Sequence, residues 1–354
     1  MSCTPASMLP QAFLSAIWAQ DRVIAIREID VPCLLNGEVL IRVRAAGICG
    51  SDLHQFRLNA KTTRMPNMGP GHELAGEIVA LGPGVTSPPV GSRVTCFAGR
   101  TCKSCGFCLT KRPQLCTKLR LAGQNYPGGM GEYFVAQAEM VYLLPVGIDW
   151  PVAALSEPLS VAIHGMKRAS ITNGQRVLVI GAGTIGLLAA LVAIDAGAAH
   201  VALVARHEHQ VAAAWSIGAH EVFGQKEFEL QKPSVARKNW DLVVESVGGI
   251  SQTLQQAIDV VACDGTVLLL GVHHVSQSIM PARLFRHELR IVGAFGCNYL
   301  GPCSDFDQSV GLIRKYQNLV APLVTHTFPL ESASAAFATA LDKRSGAIKV
   351  SILP

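Results

Sequence analysis

Four cysteines crowd into one short stretch as Cys102-x2-Cys105-x2-Cys108-x7-Cys116, with no histidine among them. Thiolates at such close spacing suit a closed, tetrahedral structural zinc site. Tight cysteine triplets also serve iron–sulfur clusters. Nothing else in the chain calls for one-electron chemistry, so zinc is favoured. The lobe is rich in glycine, lysine and arginine and can hardly build a core of its own, so metal would supply its folding energy. A second set of donors is dispersed. Cys49 lies in Gly47-Ile48-Cys49-Gly50-Ser51-Asp52-Leu53-His54, and His72 and Glu73 in Gly69-Pro70-Gly71-His72-Glu73. Glu157 lies in Ser156-Glu157-Pro158-Leu159-Ser160-Val161-Ala162-Ile163-His164. Cysteine, histidine and glutamate in glycine-rich turns are ligands for a first-row metal with room for an open coordination position. Taken singly, each fragment is ordinary, because a lone histidine is more often a hydrogen-bonded core residue.

A third feature is Gly181-Ala182-Gly183-Thr184-Ile185-Gly186, which follows an apolar run and opens a helical pattern. In that setting the glycines have separate uses. Gly181 permits the tight turn, Gly183 lets backbone approach a pyrophosphate, and Gly186 lets helix pack on strand. Thr184 and Ile185 begin the helix, whose unpaired N–H groups attract an anion. The plainer reading, a turn that only packs a helix on a sheet, is disfavoured by the full strand–turn–helix context. About 20 residues on, an NAD site has a carboxylate for the ribose 2′-hydroxyl. Here that position is Ala205, followed by Arg206. No carboxylate repels a 2′-phosphate, and a guanidinium is placed to hold one. NADP(H) is expected over NAD(H). The competing reading makes Arg206 a solvated strand-end residue of an NAD enzyme.

These features need scaffolds of two kinds. The chain has 354 residues, 49% of them hydrophobic and 16% charged, which fits about two globular domains of roughly 150 residues each. The net charge of +5 lacks the basic runs of a nucleic-acid binder. No leader or membrane span is read, and a soluble cytoplasmic enzyme is expected. Residues 1–155 read as a loop-rich β domain, with strands at 39–45, 77–80 and 93–97. Residues 156–295 alternate strands (176–180, 200–205, 241–247, 266–272, 289–294) with helices (184–196, 208–217), which predicts a doubly wound parallel sheet. Residues 296–354 lose that rhythm and end in a strand at 347–353 expected to return to the first domain.

Together the motifs resemble the zinc-containing medium-chain dehydrogenase/reductase superfamily, from about Glu38 to Val350. The Arg112-Pro113-Gln114-Leu115-Cys116 and Gly131-Glu132-Tyr133 segments add to the likeness. The Glu157-Pro158-Leu159-Ser160-Val161-Ala162 fragment is similar to the polyol, threonine and sugar-alcohol-phosphate branch. The resemblance implies an α/β fold, with a GroES-like β-rich catalytic domain and its structural zinc lobe beside a Rossmann domain. It implies two zinc ions per chain and hydride transfer between an alcohol or polyol and a nicotinamide dinucleotide. Cys49 and His72 would hold the catalytic zinc, with Glu73 a direct or alternating ligand. Glu157 would bind the metal or hold its water. Ser51 would contact the substrate hydroxyl, His54 would relay its proton, and Asp52 would orient a ligand. A homodimer or homotetramer acting on a small alcohol or ketone, without nucleic acid or membrane, is implied. Sorbitol-type members carry an Arg–Tyr pair where this chain has Gly296 and Cys297, which argues against simple sorbitol oxidation. A phosphorylated polyol with NAD(H) is the enzymatic alternative. A zinc-free reductase, or a non-catalytic zinc- and dinucleotide-binding protein of the same fold, would lack a ligand or relay residue, and none is missing. Arg283 and Arg286 read as a solvated helix face. Phe56, Phe97, Tyr126 and Phe295 read equally as pocket or core.

Overall fold

The computed structural model describes residues 10–19, 22–57, 68–301 and 303–354. The chain forms two compact units: one comprises residues up to Glu157 with Asn298–Pro354, the other Pro158–Cys297.

In the second unit, runs such as Arg176–Ile180 and His200–Ala205 are apolar along nearly their whole length, and their interiors are buried. Such strands suit a sheet covered on both faces. Six strands pair in parallel throughout. Their spatial order is Glu221–Gly224, His200–Ala205, Arg176–Ile180, Trp240–Glu245, Val261–Leu269, Arg290–Gly293. Counted along the chain this is 3-2-1-4-5-6, the doubly wound dinucleotide-binding order. The order reverses between Arg176–Ile180 and Trp240–Glu245, and ligands of such sheets lie outside the carboxyl ends of the strands at that reversal. The helix Thr184–Asp195 is buried from Gly186 to Ala193. A helix apolar on all sides is what a central position requires. The edge strand Glu221–Gly224 was not expected; its four residues mix polar and apolar types and show no period.

In the first unit, Glu38–Gly47 is the central strand. It pairs antiparallel with Glu73–Leu81, Tyr133–Gln137 and Lys349–Leu353. The last pairing sets Ser351 opposite Gly47 and Ile352 opposite Ala46, so the C-terminal strand closes back onto the N-terminal sheet. An N-terminal hairpin, Ala12–Trp18 with Ile24–Asp30, also lay outside the sequence reading. So did the helices Asp305–Lys315 and Ala333–Leu341. The latter supplies Phe337, which packs against Phe56 at 5.1 Å between ring centroids. Phe56 is thus a core residue. Phe97 stacks on Tyr299 at 3.9 Å, whereas Phe295 is 53% exposed. The solvated face expected of Arg283 is corrected. Its guanidinium donates to the carbonyls of Ile258 (2.6 Å) and Val261 (3.1 Å) at the end of a helix, while Arg286 is exposed. Among the described residues no helix is long and apolar enough to cross a membrane.

Candidate functional site

The sulfur atoms of Cys102, Cys105, Cys108 and Cys116 all lie within 4.8 Å of one another. Three of the separations are 3.5 Å (Cys102–Cys116), 3.6 Å (Cys105–Cys108) and 4.0 Å (Cys102–Cys108). A tetrahedron with Zn–S bonds of about 2.3 Å has edges of about 3.8 Å, close to these three separations, so the lobe brings four thiols together at the spacing that ion takes. None is in a disulfide. Backbone N–H groups aim at the sulfurs: Cys102 at Cys116 Sγ (3.3 Å), Cys105 at Cys102 Sγ (3.3 Å) and Lys118 at Cys116 Sγ (3.4 Å). Donors of this kind at Ser104 and Cys105 lower Cys102 to about 5, which suits a thiolate ligand.

The dispersed donors converge where the central sheet ends. Cys49 follows Glu38–Gly47, and His72 immediately precedes the neighbouring strand Glu73–Leu81, whose first residue, Glu73, pairs with Gly47. Ligand atoms of Cys49, His72 and Glu73 lie within 4.8 Å of one another. Three residues make this geometry. Asp52, buried on the short helix Gly50–Arg57, accepts from the N–H groups of Cys49 (3.0 Å) and Gly71 (3.4 Å), so it ties both ligand-bearing segments together. Its Oδ1 also stands 3.9 Å from His72 Nδ1. Gly71 has φ +102°, and a Cβ there would meet Met130 Cγ at 2.7 Å. Gly47 leaves room for Glu73, since its Cβ would lie 2.2 Å from Glu73 Oε2.

Sequence reasoning did not single out Lys349. Its buried ammonium donates to both oxygens of Glu73, at 2.8 and 2.6 Å, and to the Ile48 carbonyl at 3.0 Å. The sequence offers only a lysine opening the apolar run Lys349–Leu353, and its burial is known from the strand's place in the sheet. Glu157 is further from the three-residue group, but its carboxyl feels the charges of His72, Glu73 and Lys349. Burial pushes it up to about 7. Burial alone would lower His72; the charges of Cys49 and Asp52 outweigh it and hold the imidazole well above its ordinary value. A thiol, an imidazole and a carboxylate whose ligand atoms stand this close together form a donor set that fits a divalent cation. Ser51 Oγ is covered and has no hydrogen-bond partner among the described residues. A hydroxyl left that way suits an incoming ligand. His54 stands one turn further along the same helix, on the same face as Ser51.

In the second unit Gly181 has φ +106° and a Cβ at Gly186 would lie 1.9 Å from the Gly181 carbonyl oxygen, so both positions exclude side chains. At Gly183 a Cβ would meet nothing within 4 Å, leaving the open cradle a pyrophosphate needs. Thr184 and Ile185 form the first turn of the helix. Ala205 is buried at the end of its strand, and Arg206 is exposed beyond it, with its N–H donating to Gln210 Oε1 at 3.1 Å.

Residues 35–146 match the alcohol dehydrogenase GroES-like domain, and residues 184–315 the zinc-binding dehydrogenase domain. The chain is 30% identical to D-arabinitol dehydrogenase 1 of Uromyces fabae, over 98% of each protein. Galactitol-1-phosphate dehydrogenase from Escherichia coli has the same fold, with a TM-score of 0.86 at 28% identity over 97% of this chain and 99% of that one. A zinc-binding dehydrogenase from Sinorhizobium meliloti 1021, crystallised with NADP, gives 0.85 at 26% identity over 98% and 100%.

Proposed function

Because this chain belongs to the zinc-binding alcohol dehydrogenase family, we propose that it oxidises a secondary carbinol of a polyol, or reduces the matching ketone, with NADP(H) as its preferred partner. The observation that carries the reading is the convergence of Cys49, His72 and Glu73 beside the covered hydroxyl of Ser51. Cys49, His72 and a carboxylate would hold a catalytic zinc, and Cys102, Cys105, Cys108 and Cys116 a structural one. The bound groups supply Lewis-acid polarisation of the carbinol oxygen and acceptance of the hydride.

The chain's own residues do the rest. Ser51 takes the carbinol proton's hydrogen bond, and His54 passes the proton outward. Asp52 fixes the relation of the Cys49 and His72 segments. Both oxygens of Glu73 accept from Lys349, which holds the carboxylate in place while each oxygen keeps a further lone pair for a metal. Burial pushes the Glu157 carboxyl up to about 7, so it is the carboxyl that gains or loses a proton near neutrality.

The NADP preference rests on Ala205 and Arg206, where no carboxylate faces a 2′-phosphate and a guanidinium is placed to hold one. Arg206→Ala is expected to weaken NADP binding at least tenfold and leave NAD binding within about twofold, since a charge-assisted contact to phosphate contributes roughly 1.5–3 kcal/mol. Equal losses for both cofactors would reject Arg206 as the phosphate contact. The substrate is tested by a panel of alcohols, polyols and polyol phosphates read by reduced-cofactor absorbance with each dinucleotide. Turnover confined to phosphorylated polyols with NAD would replace this reading by the second one, which the galactitol-1-phosphate enzyme's likeness favours.

A further inference from the structure

His273 lies just past the carboxyl end of the strand Val261–Leu269, beside the carboxyl end of Trp240–Glu245. Its Nε2 is 3.1 Å from Oε2 of Glu245, a fully buried carboxylate. The other oxygen of Glu245 accepts from the N–H groups of Val247 (2.9 Å) and Gly248 (3.0 Å) and from Thr253 Oγ1 (2.6 Å). A carboxylate so arranged only accepts, so Nε2 donates to it, and in the neutral imidazole Nδ1 is then the acceptor. Nδ1 is covered and has no hydrogen-bond partner among the described residues, on a side chain 8% exposed. An acceptor buried without a donor is costly, and such a group in a native fold points to something that completes it.

Its surroundings say what. Glycines let the two loops interlock: a Cβ at Gly271 would lie 2.3 Å from Glu245 Oε2, and one at Gly248 would lie 2.6 Å from the Val272 nitrogen. Gly249 N–H donates to the Val272 carbonyl, and His274 N–H to that of Gly249. The first loop also reaches the glycine turn, since Ser246 Oγ donates to the Gly181 carbonyl at 3.1 Å. Val247 and Val272, on either side, are 49% and 67% exposed. Two uncovered apolar side chains flank an unpaired acceptor, one strand beyond the switch point of a dinucleotide-binding sheet. That combination fits a flat heteroaromatic ring attached to a hydrogen-bond donor.

We propose that His273, held by Glu245, accepts a hydrogen bond from the nicotinamide-riboside end of the dinucleotide. The donor is either a ribose hydroxyl or the carboxamide NH2. The inference rests on the dinucleotide-binding reading above. Glu245 is a positioning residue in it, fixing the ring and its tautomer.

The test is equilibrium binding, by calorimetry or intrinsic fluorescence, of NADP, NAD, ADP-ribose and ADP to the wild-type protein and to His273→Ala and His273→Asn. The two variants guard against one that fails to fold, and unchanged far-ultraviolet circular dichroism identifies the usable one. The expected result is a loss of about tenfold or more for both dinucleotides with ADP binding unchanged. A parallel loss for ADP-ribose identifies the ribose hydroxyl as donor, and an unchanged ADP-ribose affinity identifies the carboxamide. Unchanged dinucleotide affinity in a folded variant, or an equal loss for ADP, overturns the proposal. Failure of the wild-type protein to bind any dinucleotide overturns the underlying reading instead.

Discussion

Replacing Lys349 by methionine is expected to destabilise the protein by about 3–5 kcal/mol, the loss that follows when one partner of a buried ion pair is removed. The two side chains are 4% and 2% exposed, so water cannot take the lysine's place. Three hydrogen bonds go at once: two to Glu73 and one to the Ile48 carbonyl. The carboxylate then remains near Asp52 and Glu157, which burial already raises and which its own charge raises further. Methionine keeps most of the volume, so the loss reports charge rather than a cavity. Chemical denaturation measures it. The double variant Lys349→Met/Glu73→Gln removes the stranded charge and is expected to recover much of the loss. Destabilisation by the double variant equal to the sum of the two single losses would show that the pair does not act as a unit.

The second large effect is on turnover. Cys49→Ser or His72→Ala is expected to lower kcat by at least a thousandfold while dinucleotide affinity changes by less than about twofold. Each removes one donor from a three-residue group whose ligand atoms lie within 4.8 Å, and catalytic zinc has no spare protein ligand to lose. The separation of effects follows from the chain's construction: Cys49 and His72 belong to the first unit, the glycine turn to Pro158–Cys297. Steady-state assays beside a fluorescence titration of the dinucleotide distinguish the two quantities. Loss of cofactor affinity in parallel with turnover would instead indicate a folding defect.

What could be read from the sequence was what local spacing encodes. The four-cysteine lobe spans a few turns of chain, and its metal-compatible geometry follows from residues close in sequence. The Gly181–Gly186 turn is legible because strand, turn and helix are consecutive, and the strands at 176–180 and 200–205 end where their apolar runs end. Cys49, His72 and Glu157 were singled out by the company they keep, not by spacing; the convergence of Cys49 with His72 comes from the antiparallel pairing of Glu38–Gly47 with Glu73–Leu81. The same pairing hid Lys349, which lies 276 residues from Glu73. One lysine at the start of an apolar strand looks like a solvated end until its register against Gly47 is known. Arg283 was misjudged for a related reason. Helical spacing cannot show that the carbonyls at a neighbouring helix end await a donor. His273 and Glu245, 28 residues apart, meet only because their strands are adjacent in the sheet.

The central claim is a hydride-transfer enzyme that depends on zinc at the open Cys49/His72 site. The measurement closest to it is zinc content per chain, taken on the purified protein before and after graded chelation, with polyol oxidation followed on the same samples. The account predicts about two zinc ions per chain, and turnover that disappears with the zinc held by Cys49 and His72 and returns when zinc is restored. Full turnover in metal-stripped protein would contradict it.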